Sequence, residues 1–241
     1  MHDVIRDMAL WLAGENGKKK NKFVVKDGVE SIRAQEVEKW KKTQRISLWD
    51  SNIEELREPP YFPNMETFLA SYVKINFEKE VVVYSKFPRH QCLNNLCDVY
   101  ISGCGELLNL TWLIFAPSLQ FLSVSACESM EKVIDDERSE ILEIAVDHLG
   151  VFSRLRSLAL FCLPELRSIH GRALTFPSLR YICVFQCPSL RKLPFDSNIG
   201  VSKKLEKIKG EQEWWDELEW EDQTIMHKLT PYFQSDSSHY K

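Results

Sequence analysis

Residues 179–193 read Leu179-Arg180-Tyr181-Ile182-Cys183-Val184-Phe185-Gln186-Cys187-Pro188-Ser189-Leu190-Arg191-Lys192-Leu193. Apolar residues fall at Leu179, Ile182, Val184, Cys187, Leu190 and Leu193, in the frame L-x-x-L-x-L-x-x-C/L-x-x-L-x-x-L. The central L-x-L places two side chains on one face of a strand, because strand side chains alternate with a period of two. The later leucines, three apart, fill the same interior as the chain turns back. A unit this small cannot bury its apolar face alone, so it must stack on neighbours.

The neighbours are present. Leu96, Val99, Ile101, Cys104, Leu107 and Leu110 fit the frame, as do Leu119, Leu122, Val124, Cys127, Met130 and Val133. Leu155, Leu158, Leu160, Leu163, Leu166 and Ile169 make another unit, and Leu205 with Ile208 starts one that decays. The starts are 23, 36, 24 and 26 residues apart. One insertion aside, that is the 20–29-residue period of leucine-rich repeats. Weaker units precede these: Ile46-Ser47-Leu48 followed by Ile53 and Leu56, then Met65, Phe68, Ala70 and Val73. The irregular interval from Met65 to Leu96 reads as a place where repeats have been lost. Phe62, Ala116, Phe152 and Phe176 stand three residues before a start, often followed by proline. Proline cannot donate to a ladder, so it belongs in the connection entering a strand. The predicted fold is an α/β solenoid, a curved parallel sheet with short helices or irregular turns on its convex side.

The frame also absorbs the candidates for chemistry. Cys104, Cys127 and Cys187 share one slot with Leu163, which marks them as small interior hydrophobes. A zinc cluster of His90, Cys92, Cys97 and Cys104 would lack any paired C-x-x-C spacing. A nucleophilic pairing of Cys162 with His148 or His170 has no supporting G-x-S-x-G or H-E-x-x-H motif. Asp135-Asp136-Glu137-Arg138 lies in the excess of the long repeat and reads as a solvated loop. No enzyme activity and no metal are expected.

Charge is uneven around a net of −4. Residues 1–45 hold 11 Lys/Arg against 7 Asp/Glu, and residues 205–222 hold 8 acids against 2 lysines. That balance gives no global drive toward nucleic acid. Trp214, Trp215 and Trp220 stand among the acids of the second stretch, as suits a terminal cap that closes the core and shows polar groups outward. No stretch reaches the roughly 18 apolar residues of a membrane span. Met1-His2-Asp3-Val4 puts an acid where a secretory signal would be basic. Seven cysteines, an odd number, do not form a secreted disulfide framework. The expected location is the cytoplasm, including the periphery of the plasma membrane.

Residues 2–13 read as a short amphipathic helix, with Val4, Met8, Trp11 and Leu12 on one face, followed by a Lys18-Lys19-Lys20 turn and a strand at Phe23-Val24-Val25. Met1-His2-Asp3-Val4-Ile5-Arg6-Asp7-Met8-Ala9 resembles the Met-His-Asp motif that closes the nucleotide-binding (NB-ARC) module of plant disease-resistance proteins. Arg45-Ile46-Ser47-Leu48 resembles the first leucine-rich strand of their coiled-coil class. Leu205-Glu206-Lys207-Ile208-Lys209-Gly210-Glu211 with Glu213-Trp214-Trp215 is similar to the end of that class. The resemblance implies three segments: 1–42 as a remnant of the NB-ARC winged-helix region and linker, 43–233 as capped repeats, and 234–241 as a disordered tail. It implies an innate-immune module that senses pathogen effectors, or host proteins they modify, and restrains a nucleotide switch. The implied partners are such proteins and the NB-ARC module, in cis or in trans.

His2 would carry the family's contact to the ADP phosphate. A P-loop, G-x-x-x-x-G-K-[ST], does not occur in the sequence, and one histidine cannot replace its cradle of backbone N–H groups. No ADP or ATP is therefore expected on this chain. Two other readings stand beside the receptor module. One is a truncated product without autonomous function. The other is an F-box-type substrate adaptor, for which residues 1–42 are too short and too charged.

In the frame, the x positions of each strand face solvent on the inner side of the sheet. The candidate partner-binding residues are Tyr100, Phe121, Arg156, Phe161, Arg180, Tyr181 and Phe185, with Asp98 among them. Phe161 and Phe185 share one slot in consecutive repeats, so their lateral spacing should be about 5 Å.

Overall fold

A computed structural model of the chain describes residues 23–27, 31–32, 38–56, 62–77, 93–135, 151–195 and 203–236. The predicted helix at 2–13, the lysine turn, His2, His90, Cys92, Asp136 and His148 lie outside them. The strands are β1 (Phe23–Asp27), β2 (Ser31–Ile32), β3 (Arg45–Trp49), β4 (Asn52–Leu56), β5 (Thr67–Ser71) and β6 (Lys74–Phe77). They continue with β7 (Asp98–Ser102), β8 (Phe121–Ser125), β9 (Ser157–Phe161), β10 (Tyr181–Phe185), β11 (Lys207–Gly210) and β12 (Phe233–Ser235). Two helices, α1 (Gln212–Asp216) and α2 (Gln223–Leu229), precede β12.

Nine strands form one sheet in the order β1-β3-β5-β7-β8-β9-β10-β11-β12, and each of its pairings is parallel. A second parallel sheet, β2-β4-β6, runs through the early repeats. The parallel order follows from repetition, because each unit delivers its L-x-L in the same direction. Leu122 aligns with Leu158 and Ile182, and Val124 with Leu160 and Val184. All six are buried in one core.

Each repeat is punctuated by the same backbone bonds. At the strand entrance one carbonyl accepts from two successive N–H groups of the next repeat. Gln44 O takes Glu66 and Thr67, Cys97 O takes Gln120 and Phe121, and Arg156 O takes Arg180 and Tyr181. The residue three before each start caps a turn: Leu119 N–H donates to Ala116 O, Leu155 to Phe152 O and Leu179 to Phe176 O. Just past the strand, Asp50, Tyr72, Gly103, Ala126, Cys162 and Gln186 all adopt positive φ, from 44° to 64°. That bend aims the N–H of Tyr72 at Ser102 O, of Gly103 at Ser125 O and of Cys162 at Phe185 O. Unpaired edge groups are thereby satisfied between repeats.

The strand order bears on the long intervals and on both ends of the sheet. β5 pairs directly with β7, and β8 with β9 across the one insertion expected in the long repeat. The sheet begins at Phe23, ahead of the boundary placed at residue 42, because β1 pairs in register with β3. At the other end Gln234 and Ser235, expected in a disordered tail, lie in β12 opposite Lys209 and Gly210.

The C-terminal end is closed by aromatics. Trp214 and Trp215 are buried, and the Trp214 indole donates to Leu190 O at 2.9 Å. Trp215 stacks on Phe233, with centroids 4.2 Å apart, and meets the Trp220 ring edge-on at 5.2 Å. Gly210 occupies the slot held by Val184 one strand earlier. A Cβ there would lie 2.6 Å from Trp214, so the frame decays in order to seat the indole.

Candidate functional site

The strand face turned away from the core carries the residues that could meet a partner. In register order its first row is Arg45, Thr67, Asp98, Phe121, Ser157, Tyr181 and Lys207. Its second is Ser47, Leu69, Tyr100, Ser123, Ala159, Cys183 and Lys209. Large apolar side chains remain open on this face: Leu69, Tyr100 at 43% exposure, Phe121 at 38% and Tyr181 at 40%. Leu69 and Tyr100 are direct register partners.

Four of the eight sequence candidates converge. Phe121, Arg156, Arg180 and Tyr181, with Ser178 and Lys204, line one shallow hollow of about 280 Å³. Arg156 and Arg180 sit immediately before their strands, and Ser178 and Lys204 one residue before the first leucine of a repeat, so the repeat itself brings them to one edge. Glu206 borders this hollow and is held twice. Arg180 Nη1 lies 3.3 Å from Glu206 Oε1, and the Tyr181 hydroxyl donates to Glu206 Oε2. That bond to a carboxylate raises the Tyr181 phenol above its ordinary pKa. Lys209 is likewise raised by Asp236, which accepts from its ammonium at 2.9 Å.

The remaining candidates separate. Tyr100 is open but belongs with Leu69 and not with the hollow. Phe161 and Phe185 do stack, with centroids 5.9 Å apart and planes within 4°. Yet Phe185 is only 1% exposed, which removes it from the partner-binding set. At the next residue, Glu211 Oε1 accepts the Gln186 N–H at 2.8 Å and ties the end of β10 to the turn from β11 into α1. A strand position that is open in the middle of a solenoid is covered at its end. His2 lies outside the described residues.

Sequence reasoning missed Trp49 and Tyr72, exposed and packed edge-to-face at 5.4 Å. Trp49 occupies the same register slot as Ser125 and Phe161, and extending the frame into the weak early units would have shown it. Lys204 and Glu206 flank Leu205, the start of the fifth unit, and extending the frame to that unit would have shown them.

The cysteines behave as packing residues. Cys104, Cys127 and Cys187 are buried. Burial pushes the Cys187 thiol up to about 12, and the hydrogen bond with Cys104, then burial, raises Cys127. Cys162 donates to Gln186 Oε1 at 2.9 Å, and His170 Nδ1 lies 3.0 Å from Arg172 O. Among the described residues no helix is long and apolar enough to cross a membrane.

A register-stacked parallel sheet on a leucine core, closed by an aromatic cap, defines a leucine-rich-repeat protein. Residues 69–211 match the family model described as plant disease resistance protein RPS2-like, leucine-rich repeats. The chain belongs to that family. It is 40% identical to disease resistance protein RPS5 of Arabidopsis thaliana over 61% of its length and 16% of the relative's. It is 37% identical to disease resistance protein SUMM2 of the same plant, covering 67% of this chain and 18% of the relative. The probable disease resistance protein At4g14610 aligns across 92% of this chain and 48% of itself at 24% identity. The chain thus spans less than a fifth of the first two and about half of the third.

Proposed function

We propose that this region is the recognition surface of a plant immune receptor. It binds pathogen effectors, or host proteins altered by them, and restrains a nucleotide switch carried by an NB-ARC module. The observation that carries this reading is the set of open side chains Leu69, Tyr100, Phe121 and Tyr181 on the strand face turned away from the core. Apolar clusters left open on a protein surface mark partner sites, and aromatic anchors dominate interface energies. On this reading the repeats act by binding and not by catalysis, and nucleotide is held by the NB-ARC module. The place of action is the cytoplasm or the inner periphery of the plasma membrane.

The test is affinity capture from plant extract with quantitative mass spectrometry, comparing the native chain with the combined variant Leu69→Ala, Tyr100→Ala, Phe121→Ala and Tyr181→Ala. Each lost aromatic anchor should weaken a true partner by on the order of 1–3 kcal/mol while the fold persists. A folded variant that retains every wild-type partner would show that the open face is not the recognition surface.

A further inference from the structure

The slot that follows the L-x-L of each repeat holds a thiol in two consecutive units. Cys104 follows β7 and Cys127 follows β8, each two residues past the register partners Ser102 and Ser125. Backbone bonds keep the alignment on both sides of the thiols. Gly103 N–H donates to Ser125 O at 2.9 Å before them, and Ser129 N–H donates to Gly105 O at 3.2 Å after them. The two turns close alike, Leu107 N–H onto Cys104 O and Met130 N–H onto Cys127 O. Both sulfurs point back to the strand they follow: Cys104 Sγ lies 3.6 Å from Ser102 O, and Cys127 Sγ 3.4 Å from Ser125 O.

Neighbouring strands lie about 4.7–4.9 Å apart, and a disulfide needs Cα atoms about 4.4–6.8 Å apart. One repeat spacing therefore falls inside the range that a disulfide bridges. Two spacings, roughly 9–10 Å, fall outside it. The slot after Cys127 holds Leu163 and the one beyond it Cys187, so that third thiol stands too far away to join. Cys104 and Cys127 are also in direct contact. The Cys127 thiol donates to the Cys104 sulfur, and this bond, working against burial, lowers the Cys104 thiol to about 7. Cys187, beside Leu163 in the ladder, is instead pushed up to about 12 by burial. Gly105 and Glu106, both exposed, follow Cys104 directly, so a small uncharged oxidant has one turn to cross. The same burial keeps out a bulky charged reagent.

We infer that Cys104 and Cys127 are a site of reversible oxidation, at which a hydroperoxide joins them in a disulfide between consecutive repeats. The inference is independent of the recognition role. The Cys104 thiolate attacks one peroxide oxygen, the O–O bond breaks and hydroxide leaves, which makes Cys104 a sulfenic acid. The Cys127 sulfur then attacks that sulfur, the S–O bond breaks, and the departing hydroxyl takes the Cys127 proton and leaves as water. Two electrons pass from the thiols to the peroxide, and a small thiol such as glutathione returns them by exchange.

The experiment treats the full native chain with hydrogen peroxide, blocks the remaining thiols and maps the disulfides by mass spectrometry. Cleavage after Glu106 separates the two cysteines, and fragment ions locate the link. A Cys104–Cys127 bond should be the first intramolecular disulfide to form, with Cys187 still reduced, and dithiothreitol should reverse it. Its rate should rise about tenfold from pH 6 to pH 8 and then level off, following the Cys104 thiolate. In Cys127→Ser, dimedone should trap a sulfenic acid on Cys104. In Cys104→Ser, Cys127 should stay a thiol, a difference that a shared packing role does not produce.

A different intramolecular disulfide forming first, or a Cys104–Cys127 link that appears only in urea, would overturn the inference. So would a sulfenic acid on Cys127 in Cys104→Ser as abundant as that on Cys104 in Cys127→Ser. If either serine variant melts early, the disulfide map and the pH dependence of the native chain decide without it.

Discussion

The two faces of the same strands obey different rules. On the core side, Val99 and Ile101, Leu122 and Val124, Leu158 and Leu160, and Ile182 and Val184 are all aliphatic and all buried. On the other side, the matching slots hold Asp98 and Tyr100, then Phe121 and Ser123, then Ser157 and Ala159, then Tyr181 and Cys183. Stacking constrains one face because every repeat must fill the gap left by its neighbour at interior density. The other face is constrained only by compatibility with a strand, and so it is free to differ from repeat to repeat. Scaffold and specificity are thus written on alternate residues of one chain.

Phe185 is where that division fails, and it gives the largest expected effect. It occupies an open-face slot but is buried, stacked on the Phe161 ring. Phe185→Ala should therefore behave like a core truncation and lower stability by about 3–5 kcal/mol. Tyr181→Ala, on the same face of the same strand, should change stability by less than about 1 kcal/mol and alter binding instead. Urea unfolding midpoints for the two variants decide the matter. Equal losses would mean that the two faces are not energetically distinct.

What the sequence made legible follows the same division. Six frame positions repeated in register are enough to assign the core, because each slot admits one class of residue. The hollow was half legible. Phe121, Arg156, Arg180 and Tyr181 follow from alternation in regular repeats, whereas Lys204 and Glu206 flank Leu205 in a unit that keeps its pattern only as far as Ile208. It loses the pattern because Gly210 yields its place to Trp214. Phe185 was misplaced for a related reason. Periodicity reports which face a residue is on, and it carries no information about where the solenoid ends and the cap folds over. Trp49 and Tyr72 were legible in principle, but the weak units that hold them depart from leucine at Ser51 and Ala70.

The bend that joins the two faces gives a smaller, signed test. Gly103 and Ala126 occupy equivalent left-handed positions, at φ of 64° and 51°. Ala126→Gly should stabilise the chain by about 0.5–1 kcal/mol, because glycine relieves the left-handed strain and loses some of that gain to backbone entropy. Gly103→Ala should destabilise it by about 1–2 kcal/mol. Its new Cβ would lie 2.6 Å from the Tyr72 ring, which rests on the glycine and meets Trp49. Thermal unfolding of both variants, with tryptophan fluorescence as a reporter of the Trp49–Tyr72 contact, checks both signs. A neutral Gly103→Ala with unchanged fluorescence would show that the ring is free to leave.

The cysteines sample both faces. Cys127 and Cys187 lie on the core side, Cys183 on the open face, half-buried, and Cys97 and Cys162 at the strand ends, also half-buried. Thiolate is the reactive form, and burial in apolar surroundings suppresses it. Burial raises Cys183 and pushes Cys187 up to about 12. With the native chain and a charged disulfide reagent, Cys97 and Cys162 should be modified first and Cys183 more slowly. Cys127 and Cys187 should react only on unfolding. Because Cys187 stays protonated through pH 9, raising the pH from 7 to 9 should leave its protection intact. Peptide mass mapping after timed quenching reads the order directly. Modification of Cys187 at a rate near that of Cys162 would mean that the slot shared by Cys104, Cys127 and Cys187 is open to solvent, and that the core face does not close as the repeat frame requires.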